Sequence, residues 1–160
     1  MAEAGSDDDN RPVAGFFGKL PTVGDFVERG LPPAFRRSWD RWLTSHVAPR
    51  LRGDTPFPPL GQRFRLVSGG VTAAGLILPS RDSAGRVFPI SLLLIAEGGL
   101  TNGGVDQWCD RALALFDPAM EPDALWAALD ALAAPEVAAD AGAPCLLVWS
   151  EGSPAAEFAG

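Results

Sequence analysis

The chain reads as a single α/β domain in which a mixed, antiparallel-rich sheet carries helices on both faces. Three observations predict this. Apolar residues make up 47% of the sequence and charged residues 21%, enough for a core and too little charge for a disordered chain. A length of 160 residues leaves little room for a second independent core. Runs of strand-like pattern alternate with segments of helical period in the order β, α, β, β, β, α, α, β.

Val13 to Lys19 reads as a short strand running into a loop punctuated by Pro21 and Gly24. Leu31-Pro32-Pro33 then opens a helix, since proline is tolerated where the first N–H groups have no intrahelical partner. Phe35, Trp39, Trp42, Leu43, His46 and Val47 form its apolar stripe, and Pro49 is expected to end it. The proline-rich stretch from Gly53 to Gly61 is a loop. Arg63 to Val67 alternates polar and apolar residues, as a half-exposed strand does. Gly69-Gly70 suits a two-residue hairpin turn, which needs positive φ. Val71 to Leu78 returns as a strand, and Val87 to Ala96 is the most apolar one. Val105, Trp108, Ala112, Leu115 and Phe116 mark a second helix. A third, opened by Pro122, carries Leu125, Trp126, Leu129 and Leu132. Cys145 to Trp149 is the last strand. The expected boundaries are a disordered acidic tail over 1–11, one domain over 12–150, and a fraying tail over 151–160.

Charge is distributed unevenly. Residues 11–90 hold twelve basic side chains against five acidic ones, whereas residues 91–160 hold only Arg111 against eleven acids. A folded chain can therefore carry one basic and one acidic side. The net charge of −7 argues against a duplex-binding role, because phosphate contacts dominate such affinity. No apolar run reaches the ~20 residues of a spanning helix, and Met1 to Asn10 lacks the basic and apolar regions of a secretory signal. Cys109 and Cys145 lie in apolar contexts and read as reduced thiols. A soluble, cytoplasmic protein is the expectation.

The sequence offers little for catalysis. The one histidine, His46, lies on a packing stripe, so no Ser-His-Asp or Cys-His set assembles around it. One His and two separated Cys give no metal-ligand spacing. Gly15 to Lys19 lacks the spacing and the Ser/Thr of a phosphate loop. Asp25 and Asp82 lie in loops, where carboxylates usually cap turns, though a pair of them can do acid–base work.

Two gapped motifs remain, Gly18-Lys19-Leu20-Pro21-Thr22-Val23-Gly24-Asp25-Phe26 and Pro79-Ser80-Arg81-Asp82-Ser83-Ala84-Gly85-Arg86-Val87-Phe88-Pro89, with Trp39 and Trp42 between them. Together they resemble the TagF (ImpM, SciM-like) family of type VI secretion-associated proteins. That resemblance is strongest from Val13 to Ala96 and looser through Trp149. It implies a three-layer α/β/α sandwich in a cytoplasmic accessory protein of the type VI secretion system. The implied role is post-translational restraint of assembly by binding a forkhead-associated-domain scaffold protein, with no enzymatic activity and no cofactor. It carries over no catalytic residues. Loops on a rigid scaffold commonly carry function, which makes Lys19, Asp25, Asp82 and Arg86 the candidate partner-binding residues. The alternative is a small phosphate- or nucleotide-binding enzyme using the same four side chains, recognisable by a concave pocket where Lys19 and Arg86 converge.

Overall fold

The computed structural model describes residues 11–53 and 55–158; most of the predicted acidic tail lies outside the described residues. The strands are β1 (Val13–Gly18), β2 (Val27–Arg29), β3 (Gln62–Ser68), β4 (Val71–Leu78), β5 (Ile90–Glu97), β6 (Cys145–Ser150) and β7 (Ala156–Glu157). The helices are α1 (Pro33–His46), α2 (Ala48–Arg52), α3 (Asn102–Leu115) and α4 (Pro122–Asp130). One sheet collects the strands in the order β2-β1-β5-β4-β3-β6-β7. Every pairing is antiparallel, which corrects the expected mixed sheet. No helix of the described residues is long and apolar enough to cross a membrane.

Alternation along the central strands divides the core in two. Ala74, Leu76, Leu92 and Leu94 point to the side where Val105, Trp108, Leu125 and Leu129 of α3 and α4 pack. Ala73, Ile77 and Leu93 point to the other side, against Trp39 and Leu43 of α1 and Ala48 of α2. Both faces of β4 and β5 are covered, which explains why these strands read as nearly unbroken apolar runs. The α/β class with helices on both faces is as the sequence predicts. The β3–β4 hairpin turns at Gly69 and Gly70, with φ of 59° and 80°.

Four local details differ from the sequence reading. Pro49 does not end the helical stretch; α1 closes at His46, and Pro49 sits in the first turn of the new helix α2, where its missing N–H costs nothing. Strand β5 starts at Ile90, immediately after Pro89. The short edge strands β2 and β7 have no counterpart in the predicted order. The chain beyond Ser150 turns back, pairs with β6 and places the Phe158 ring against Trp42 and His46.

Candidate functional site

The two motif loops meet beside β1 and β5. Gly18 ends β1 at φ 145°, where an added Cβ would collide with the Pro89 carbonyl, so only glycine permits this approach. Four hydrogen bonds then join the loops. Lys19 N–H donates to the Pro89 carbonyl (3.2 Å), Ser83 N–H to the Val23 carbonyl (2.8 Å), Ser80 Oγ to the Lys19 carbonyl (2.7 Å) and Arg86 Nη2 to the Gly24 carbonyl (2.7 Å).

Asp82 lies at the centre, its side chain fully buried. Its Oδ1 accepts the N–H groups of Ala84 and Arg86, each at 2.9 Å. Its Oδ2 accepts from Lys19 Nζ at 3.1 Å and Arg86 Nε at 2.8 Å. Burial alone would raise the carboxyl pKa. The Arg86 N–H, the Lys19 ammonium, the Arg86 guanidinium and the Ala84 N–H together outweigh it and hold the group well below its usual range. With four donors on two oxygens, this carboxylate has no role left as a base.

Of the four candidate residues, the structure brings Lys19, Asp82 and Arg86 together and leaves Asp25 outside. The Lys19 side chain is only 8% exposed, whereas that of Arg86 is 64% exposed. Asp25 is exposed, and its Oδ1 accepts the Phe26 N–H at 2.7 Å. Capping, the usual work of a loop aspartate, describes both acids.

Sequence reasoning missed the aromatic at this site. Phe26 is 45% exposed yet stacks on Phe17 (5.7 Å between centroids) and meets the edge of Phe88 (5.0 Å), with Lys19 Nζ 4.7 Å from its centroid. A hollow of about 400 Å³ beside it is lined by Phe17, Phe26, Val27, Glu28, Arg29 and Arg36. Trp39, by contrast, is core. It stacks on Trp42 at 5.1 Å, and its Nε1 donates to Ser91 Oγ, which donates onward to the Phe17 carbonyl.

A second polar cluster also escaped the sequence reading, in which Arg63 stands on the exposed side of a strand. Arg63 is buried, and its guanidinium forks to Asp106 and Asp110 of α3, each at 2.7 Å. Trp149 Nε1 donates to the same Asp106 oxygen. The i, i+4 spacing of the two aspartates was the available signal. Next to them, burial pushes the Cys109 thiol up to about 12. The Arg63 charge lowers it, Asp106 and Asp110 raise it further, and at neutral pH it is no nucleophile. Among the described residues no three His, Cys, Asp or Glu side chains are grouped to hold a metal.

Comparison with known proteins agrees with the motifs. Residues 15–56 match the TagF N-terminal domain, described as type VI secretion system-associated. No curated protein matches the chain. Among solved structures, the crystal structure of PA0076 from Pseudomonas aeruginosa PAO1 is similar at 32% identity and a TM-score of 0.63. The match covers 78% of this chain and 64% of that one. Residues 15–56 are therefore similar to the N-terminal domain of a family associated with the type VI secretion system.

Proposed function

We propose that the protein is a non-enzymatic accessory component of the type VI secretion system, restraining assembly by binding a forkhead-associated-domain scaffold protein in the cytoplasm. The observation that carries this reading is the filled centre of the motif site. Where a phosphate- or nucleotide-binding enzyme would hold an anion between Lys19 and Arg86, the Asp82 carboxylate already occupies the position. An incoming anion would have to displace an internal one that four donors hold. What the two loops offer instead is a rigid platform exposing Asp25, Phe26 and Arg86. In this reading Asp25 and the exposed part of Arg86 touch the partner, while Lys19, Asp82 and the Arg86 bonds to Asp82 and Gly24 hold the platform in shape.

The test is recovery of bound proteins from the native host with tagged wild type, Arg86→Glu and Asp25→Lys. The scaffold protein is expected with the wild type and reduced with each reversal. A wild-type protein that recovers no secretion component sinks the function. Undiminished recovery with both reversals sinks the residue assignment.

A further inference from the structure

We propose that the basic face formed by α1 and α2, with the Phe26 shelf at its edge, docks an acidic segment of a protein partner that also presents an apolar side chain. This rests on the reading of the chain as a protein-binding regulator and adds the chemistry and extent of the surface.

The uneven charge of the sequence becomes a division in space. Helices α1 and α2 carry Arg36, Arg37, Arg41, Arg50 and Arg52 against Asp40 alone. The stretch from α3 through α4 carries six acids against Arg111. These pairs of helices pack on opposite faces of the sheet. The two faces are also satisfied differently. Asp106, Asp110 and Asp123 have ion partners in Arg63 and Arg29. Among the described residues, none of the five arginines of α1 and α2 pairs with an acid. Arg50 and Arg52 donate to the Pro56 and Val87 carbonyls, which orients them without neutralising them.

The basic face runs into the motif platform. Arg36 and Phe26 line the same hollow, and Arg52 reaches Val87 next to Arg86. An exposed aromatic held from beneath by Phe17 and Phe88, beside arginines that pair with no acid among the described residues, has the composition of a binding hot spot. The arginines call for carboxylates, and the exposed ring of Phe26 calls for an apolar side chain laid against it. An extended polyanion fits less well, because the net charge of −7 and the acidic opposite face repel it.

The test measures binding of the purified full chain to two probes, at low and at high salt. One is the forkhead-associated-domain scaffold protein; the other is a synthetic peptide of alternating Glu and Leu. The variants are Arg37→Glu/Arg41→Glu, Phe26→Ser, and the opposite-face control Glu121→Lys/Asp130→Lys. The arginine reversals are expected to weaken binding of each probe by about tenfold or more, with an unchanged Tm and a loss of salt dependence. Phe26→Ser weakens it with the salt dependence retained, and the control does not weaken it. Scaffold binding that survives both basic-face variants overturns the inference and leaves the proposed function standing. Peptide binding that the reversals abolish, without any scaffold binding, does the opposite. Failure of both probes overturns both readings. Tighter binding of duplex DNA or of phosphatidylserine vesicles than of the peptide overturns the choice of a protein partner.

Discussion

Asp82 shows how one residue can look functional in a sequence and be structural in the fold. Its folded pKa lies below the ordinary 3.8, so the unfolded chain takes up its proton first as the pH falls. The carboxylate therefore contributes its full stabilisation above the ordinary value and loses it progressively below. Asp82→Asn keeps an acceptor for the Ala84 and Arg86 N–H groups but turns an amide donor toward Lys19 and Arg86. We expect a lower Tm near neutral pH. We also expect a shallower fall in Tm between about pH 4 and pH 2 than in the wild type, measured by calorimetry. An acid limb identical in the two proteins would show that Asp82 is not the titrating group. The motif was legible here because Gly, Pro and charged residues mark loops, and its members do cluster. The direction in which Lys19 points was not. A lysine in a loop reads as solvated until the partner carboxylate, 63 positions along the chain, is placed beside it.

Among elements, α1 carries the clearest division between core and surface. Trp39 is 2% exposed and bonded to Ser91, whereas Trp42 on the next turn is only half-buried. Trp39→Ala should cost about 3–5 kcal/mol, since a large indole leaves a cavity that its neighbours fill only in part. Trp39→Phe should cost about 1–2 kcal/mol, because Ser91 still donates to the Phe17 carbonyl and no buried donor is stranded. Urea unfolding checks the order, and equal losses for the two variants would remove the role given to the indole volume. The stripe of α1 was readable because fourteen residues span four turns of the helical period. Strands β2 and β7, with three and two residues, are too short to show a period of two. Their shortness also protects the sheet edges, helped by Arg29, whose guanidinium covers the Glu28 carbonyl.

At the scale of the whole molecule, the halves of opposite charge are tied together by a cross-link that no local pattern shows. Arg63 of β3 reaches across 43 and 47 positions to Asp106 and Asp110, while Trp149 of β6 bonds Asp106 from the neighbouring strand. Unlike Asp82, the acids here remain wet, with side chains 44% and 58% exposed. Removing Arg63 therefore leaves carboxylates that water can hydrate. Arg63→Met should cost about 1–2 kcal/mol, well below the 3–5 kcal/mol expected when a stranded charge stays buried. The loss should also be local. The cross-link joins β3 and β6 to α3, whereas the Asp82 network joins β1 to the loop before β5 and shares no residue with it. Hydrogen exchange in Arg63→Met is expected to quicken in α3 and β6 and to stay unchanged at Lys19, Ala84 and Arg86. Faster exchange spread evenly over both regions would mean that the fold opens as one unit and that the two polar networks do not act separately.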